Sequence, residues 1–168
     1  MITGALCAGF AFRFGADAGL PAFLLLAVLG VQLARIDVSL HLLPNPLVMA
    51  LLVGGLLCVT VGTFGGQSWP NLVRALAGAA ILFVTYLILA LISPASLGMG
   101  DVKLAAPVGL YLGYLGWGQL LYGGLLGFIL NGVITVLVVR RNRAERTSEG
   151  PHGPSMLASA VGIALFFG

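Results

Sequence analysis

The sequence predicts an all-α, polytopic transmembrane helix bundle of about six to seven membrane helices, and three observations lead there. Of its 168 residues, 60% are hydrophobic and only 8% charged, against roughly 25% charged in a soluble domain. Mean hydropathy is +1.10. Eight basic and five acidic side chains cannot coat a soluble globule of this length, so lipid must face most of the surface. The apolar runs are continuous rather than alternating with period two, which argues against a transmembrane β-barrel.

Taken in order, the strong helices are expected at about 20–36, 46–63, 72–92 and 118–139, each near the ~20 residues that a bilayer demands. Weaker, shorter ones are expected at about 1–12, 104–116 and 154–167. The opening "MITGALCAGF" has no basic n-region and no small-residue cleavage site ahead of a polar chain. It therefore reads as a first membrane segment rather than a removable signal. Asn45-Pro46 pairs a helix N-cap with a proline in the first turn, and Asn71 after Trp69-Pro70 is expected to act likewise. Pro94 is expected to end the fourth helix. Gly54-Gly55, Gly78 among its alanines and Gly123-Gly124-x-x-Gly127 are either the small residues of close helix packing in lipid or tolerated breaks. Cys7 and Cys58 lie in apolar runs with no CxxC pair, which argues against a disulfide framework or a zinc site and makes them packing residues. No metal or cofactor is expected, and residues 1–168 read as a single membrane-embedded domain.

Six of the eight basic residues, Arg35, Lys103, Arg140, Arg141, Arg143 and Arg146, follow the second, fourth and sixth segments. Those loops are therefore predicted to be cytoplasmic. Arg13, beside Asp17, and Arg74 are the exceptions. The run "RRNRAERTSEGPHGP" reads as a solvated positive-inside loop, not as a nucleic-acid patch.

Setting aside Asp17 near an outside loop, and Glu145 and Glu149 in the polar loop, two acids remain: Asp37 directly after the second apolar run and Asp101 following the fourth. Both fall at the predicted cytoplasmic ends of helices, at similar depth. An ionisable residue near hydrocarbon depth costs roughly 2.5–3.5 kcal/mol at a helix centre and less toward the interface, which marks it as a functional candidate. The bland alternative is an interfacial acid that caps a helix or pairs with Arg35 or Lys103. In "GMGDVKL", residues 98–104, Gly98 and Gly100 let another backbone approach and open conformations closed to other residues. Pro94 before it and Pro107 after it place Asp101 on an irregular junction, which implies a water-accessible cavity. Two carboxylates within hydrogen-bond reach share one proton, leaving a general base for water and a general acid toward a carbonyl oxygen. His41 and His152 lie in loops and make no Ser-His-Asp alternative.

"GMGDVKL" resembles the GxGD-K signature of the type IV prepilin peptidases, aspartic membrane proteases that also include archaeal preflagellin peptidases. "RIDVSLHLLPNPLVMALL" looks like that family's first aspartate block, and "GPHGPSMLASAVG" is similar to its closing turn and last helix. The resemblance covers about residues 20–167. It implies Asp37 and Asp101 as the catalytic dyad, Gly98 and Gly100 as glycines shaping the approach, and Lys103 as a supporting positive charge. It also implies prepilin or pseudopilin-like membrane substrates, cut at the cytoplasmic face of a prokaryotic plasma membrane between a short basic leader and an apolar helix. Many bacterial members carry an N-terminal cytoplasmic domain with paired CxxC motifs associated with methylation, which this sequence lacks, so peptidase activity without a methyltransferase is expected. The loop between Asp37 and Pro44 is also less basic than usual. The presenilin type of GxGD protein is disfavoured because Ile36, not tyrosine, precedes Asp37. From other classes stand a small secondary transporter or proton-coupled channel using the acids as ion sites, and an inert scaffold. The transporter is weighted lower because both acids fall at helix ends and no internal repeat is visible.

Overall fold

The computed structural model describes residues 1–15, 17–40, 43–64, 69–92, 98–141 and 153–167, with the side chains of 131, 132 and 134–141 left aside. They form seven helices: α1 (Ile2–Phe14), α2 (Leu20–Leu40), α3 (Asn45–Phe64), α4 (Trp69–Ile92), α5 (Met99–Leu115), α6 (Trp117–Arg141) and α7 (Gly153–Phe167). Among the described residues no strand occurs. By length and composition α2, α3 and α4 can cross a membrane, and α1, α7 and the Trp117–Leu130 stretch of α6 are shorter apolar helices.

The arrangement turns on α5. Its residues from Asp101 to Tyr114 are buried except Lys103 and the half-buried Ala106, and α3, α4, α6 and α7 all pack against it. The sequence reading treats 104–116 as a weak span, yet it belongs to the central helix of the bundle. Protein rather than lipid surrounds it, so small and polar residues cost it little. Pro107 lies inside α5, which runs on through it. Asp101 therefore sits in a regular first helical turn, not on an irregular junction.

The tightest seam is between α4 and α5. A Cβ at Gly78 would strike the carbonyl oxygen of Gly109 and lie 2.9 Å from Gly113 Cα, and a Cβ at Gly109 would strike the Gly78 carbonyl. Glycine is needed here for close approach of two backbones. Elsewhere, a methyl group at Gly54 would meet Leu25 at 2.6 Å, and one at Gly123 would meet Leu112 at 2.6 Å. Packing, not tolerance, accounts for these glycines.

The far end of the bundle, opposite the two acids, is tied by polar contacts. Arg74 donates from Nε to the Gly113 carbonyl (2.7 Å) and from Nη2 to the Tyr114 carbonyl (2.6 Å) and to Asn71 Oδ1 (3.2 Å). These are the orphan carbonyls at the end of α5, where a cation is also favoured by the helix dipole. Arg74, an exception to the charge rule, is thus committed to capping a helix. Asn71 lies inside the first turn of α4 and does not precede the helix as a cap. Similarly, the Pro44 carbonyl accepts from the Leu47 and Val48 amides (3.1 and 3.3 Å), so α3 starts one residue ahead of an Asn45 cap. Tyr114 Oη donates to Asp17 Oδ1 (3.4 Å), which also accepts from the Gly19 amide (2.7 Å). Aromatic packing joins α1 to this end: Phe14 stacks on Phe23 at 4.4 Å, and Phe23 meets Tyr111 edge-on at 5.8 Å. Cys7 and Cys58 are free and pack against the core. Pro94, His41, His152, Arg143, Arg146, Glu145 and Glu149 lie outside the described residues.

Replacing Gly78 by valine is expected to lower stability by at least the upper end of the about 1–3 kcal/mol typical of overpacking, because the new methyls meet backbone that cannot rotate away. Gly162→Ala, whose added Cβ meets nothing within 4 Å, should be neutral or stabilising by about 0.5–1 kcal/mol. Thermal unfolding of the two purified variants in detergent checks the contrast.

Candidate active site

Asp37 lies three residues before the end of α2, which continues past the predicted limit at 36 to Leu40. Its side chain is 5% exposed, with Oδ2 shut off from solvent. Asp101 is the third residue of α5 and 6% exposed. The amides of Asp101 and Val102 bond to the Gly98 carbonyl at 3.0 and 3.4 Å, which opens α5 there. Asp101 Oδ2 folds back toward that helix start, 3.5 Å from where a Cβ on Gly98 would stand. A carboxylate in the first turn is favoured by the helix dipole. The two helices run in opposite directions, since at the far end Tyr114 of α5 closes against Gly19 just ahead of α2. A helical Cβ tilts toward its own N-terminus, so the Asp37 side chain leans into the membrane while that of Asp101 leans toward the site end.

Leu43, on the connection between α2 and α3, packs against Gly100 and Gly153. Its Cδ1 would be 3.1 Å from a Cβ at Gly100, the residue before Asp101, and 3.5 Å from a Cβ at Gly153, the first residue of α7. That same Gly153 Cβ would stand 2.7 Å from Asp37 Oδ2. Asp37, Leu43, Gly100 and Gly153 therefore share one end of the bundle, with buried Ser155 two residues further along α7. Tyr86 of α4, also buried, lies close enough to Asp101 to interact with its charge.

The two signature glycines differ. Gly98 has φ −70° and ψ 146°, extended backbone that any residue adopts, and Gly100 is helical. Gly100 provides room for Leu43, whereas a Cβ at Gly98 would meet Asp101 Oδ2 only at ordinary contact distance. Lys103 points elsewhere. Two residues on from Asp101 it stands about 200° round the helix, and its Nζ donates to Asn45 Oδ1 at 3.0 Å at the start of α3. Among the described residues no three His, Cys, Asp or Glu side chains gather as a metal site.

Three residues of this site were not singled out by the sequence. Gly153 had a signal in the repeated glycine-proline of "GPHGP". Leu43 had only its place before Pro44, where the chain is held extended. Tyr86 is a polar tip in an otherwise apolar helix, and only the α4–α5 register brings it to Asp101.

Apolar helices, three of them long enough to cross a bilayer, define a multi-pass membrane protein, and the two carboxylates buried at one end are its candidate site. The chain matches the model of the type IV leader peptidase family over residues 23–138 and belongs to that family. Over its whole length it is 33% identical, across 171 aligned positions, to a prepilin leader peptidase/N-methyltransferase of Burkholderia pseudomallei, covering 53% of that protein. It is 32% identical to the protein of the same name from Stutzerimonas stutzeri, covering 57% of it. Over 98% of the chain it is 32% identical to the Pseudomonas aeruginosa protein so named, covering 56%. The chain spans about half the length of the curated relatives it matches. No solved structure matches it.

In a background lacking Cys7 and Cys58, cysteines placed at 37 and 101 are expected to be joined by a short bifunctional thiol reagent. Fragments cut at a protease site inserted within 65–68 should then stay linked on a denaturing gel. A cysteine at 17 paired with one at 101 should give two separate fragments.

Proposed function

We propose that this chain is an aspartic endopeptidase that removes the short basic leader of type IV prepilin or pseudopilin-like membrane precursors, with Asp37 and Asp101 as its dyad. The observation that carries the reading is the burial of two acids from separate helices near Leu43 at one end of the bundle, in a member of the leader peptidase family. Two buried carboxyls close together cannot both ionise easily, so one proton is shared between them. The ionised member takes a proton from water as it attacks the scissile carbonyl carbon, while the protonated member donates to the carbonyl oxygen. On collapse the C–N bond breaks, the leaving amine takes the proton first removed from water, and the carboxyl that donated regains a proton from a diol hydroxyl as the product carbonyl re-forms. Both carboxyls therefore end the cycle in their starting states.

Gly100 and Gly153 act in this reading by keeping methyl groups away from Leu43 and the Asp37 carboxyl, and Gly98 opens α5 just ahead of Asp101. Lys103 acts at one remove: by holding Asn45 it fixes the start of α3 and with it the Leu43–Pro44 connection. The relatives' names join an N-methyltransferase to the peptidase. For these 168 residues, with Cys7 and Cys58 and no CxxC pair, peptidase activity alone is proposed. Orientation follows the positive-inside rule, because Arg35, Lys103, Arg140 and Arg141 all lie near the site ends of their helices. The active site then faces the cytoplasm of a bacterial plasma membrane. A transporter is the weaker alternative, since both acids lie in terminal helical turns rather than on broken helices at mid-membrane.

Coexpression with precursors carrying a basic leader and an apolar helix should give leader removal by the wild type. Asp37→Ala and Asp101→Ala should each lower the rate by about 10²–10⁴-fold or more while accumulating normally in membranes. Cleavage that survives either substitution ends the dyad reading. The wild-type rate should also fall on both sides of an optimum: with acid as the base becomes protonated, with alkali as the acid loses its proton. A profile flat from acidic to neutral pH in a detergent assay contradicts a shared proton.

A further inference from the structure

The acids account for where a bond is cut; a membrane-bound substrate must still reach them. Resting on the peptidase reading above, we propose that the lipid-facing cleft between α4 and α6 is the docking groove for the substrate's apolar transmembrane helix. It would deliver the chain at that helix's amino-terminal end to Asp101.

Both α4 and α6 lie against α5 and touch each other. A Cβ at Gly124 would meet Leu82 Cδ2 at 3.3 Å, and Tyr86 meets the Phe128 ring edge-on at 5.9 Å. Outside these contacts opens a cleft of about 420 Å³ whose lining also includes Ile81, Thr85, Leu121 and Leu125. Leu121 and Leu125 are 59% and 54% exposed, so its α6 wall is open to the bilayer. In the α4 wall the Thr85 hydroxyl is spent on the Ile81 carbonyl at 2.7 Å, which leaves the Tyr86 hydroxyl and the Trp117 indole as the other polar tips of the lining. No charged side chain lines the cleft to hold a lipid headgroup or a charged segment, whereas an apolar helix needs none. Gly124 on the floor supplies the small residue against which a helix ridge can seat closely in lipid.

The argument for a substrate helix over an acyl chain is the cleft's continuity with the acids. Arg74 of α4 bonds to Gly113 and Tyr114 of α5, and Gly78 faces Gly109. In antiparallel register this sets Tyr86, twelve residues on from Arg74, level with Asp101 and Val102. Tyr86 is also the lining residue that interacts with the charge of Asp101. From Asp101 to the end of α5 at Leu115 the rise is about 21 Å, most of a ~30 Å hydrocarbon core. A helix lying in the cleft toward Trp117 would therefore start at the level of Asp101 and run to the far side of the membrane. The amide just before that helix would stand beside the acids.

A photoreactive benzophenone amino acid placed at Leu121 or Leu125 is expected to crosslink the apolar helix of a coexpressed precursor about tenfold more strongly than one at Leu57 or Val61. The latter pair lies on the lipid-facing side of α3. Gly124→Phe should raise KM for the precursor about tenfold, within the cost that overpacking carries, with Val61→Phe unchanged. Leader removal is scored in the same membranes. If the wild type removes no leader, the peptidase reading and this one fall together. Removal with even crosslinking from all four positions, or crosslinks from Leu121 and Leu125 to lipid or to a second copy of the chain, overturns the groove alone.

Discussion

The close approach of α4 and α5 at Gly78, Gly109 and Gly113 is the constraint on which the rest of the molecule depends. In lipid, helices gain nothing from hiding apolar surface, so backbone contact and van der Waals packing must hold them together. Three glycines facing backbone provide that contact, and they fix the register of α4 on α5 with little slack. From that register follow the reach of Arg74 to the end of α5 and the level of Tyr86 beside Asp101. Movement of either helix by one turn, about 5.4 Å, would part Arg74 from its carbonyls and Tyr86 from the acid together.

A helix buried on all sides also resolves why the sequence around Asp101 carries glycine, proline and charge in a chain otherwise so apolar. Hydropathy finds helices that face lipid, and α2, α3 and α4 were legible for that reason. α5 escapes it because its neighbours, not lipid, solvate it, and Pro107 is tolerated where packing holds the helix on both sides of the missing bond. The acids were legible because ionisable residues are rare in such a chain, and the arginine and lysine positions gave their common end. What stayed hidden depended on distance along the chain. Gly153 stands more than a hundred residues from Asp37, and nothing local says that a methyl group there would collide with its carboxyl. The helix starts at Asn45 and Asn71 were misjudged by one or two residues because both asparagines resemble caps while the preceding residues open the helix.

The glycines of "GMGD" show how one letter can carry two different physical properties. Flexible backbone was one expectation, yet Gly98 and Gly100 adopt conformations open to any residue. At Gly100 the missing side chain makes room for Leu43 beside Asp101. Glycine signatures near an acid therefore need a three-dimensional test, since conformational freedom and free space leave the same letter in the sequence.

The two ends of the bundle are built on different principles, and the difference suits the proposed chemistry. The far end is stitched by charge-assisted and hydroxyl hydrogen bonds, Arg74 to carbonyls and Tyr114 to Asp17, whose strength is greatest where water is scarce. At the site end Lys103 bonds to Asn45, and an apolar side chain, Leu43, packs against the two glycines next to the acids. A side chain that makes only van der Waals contacts can be displaced by a substrate's backbone without leaving a buried donor or acceptor unmet. Had an arginine stood beside the acids instead, admitting a peptide would mean stripping a buried ion pair, at a cost of several kcal/mol. Committing Arg74 to the carbonyls of the far end and leucine to the glycines of the site end leaves, in the proposed reading, a contact beside the carboxyls that a substrate can displace cheaply.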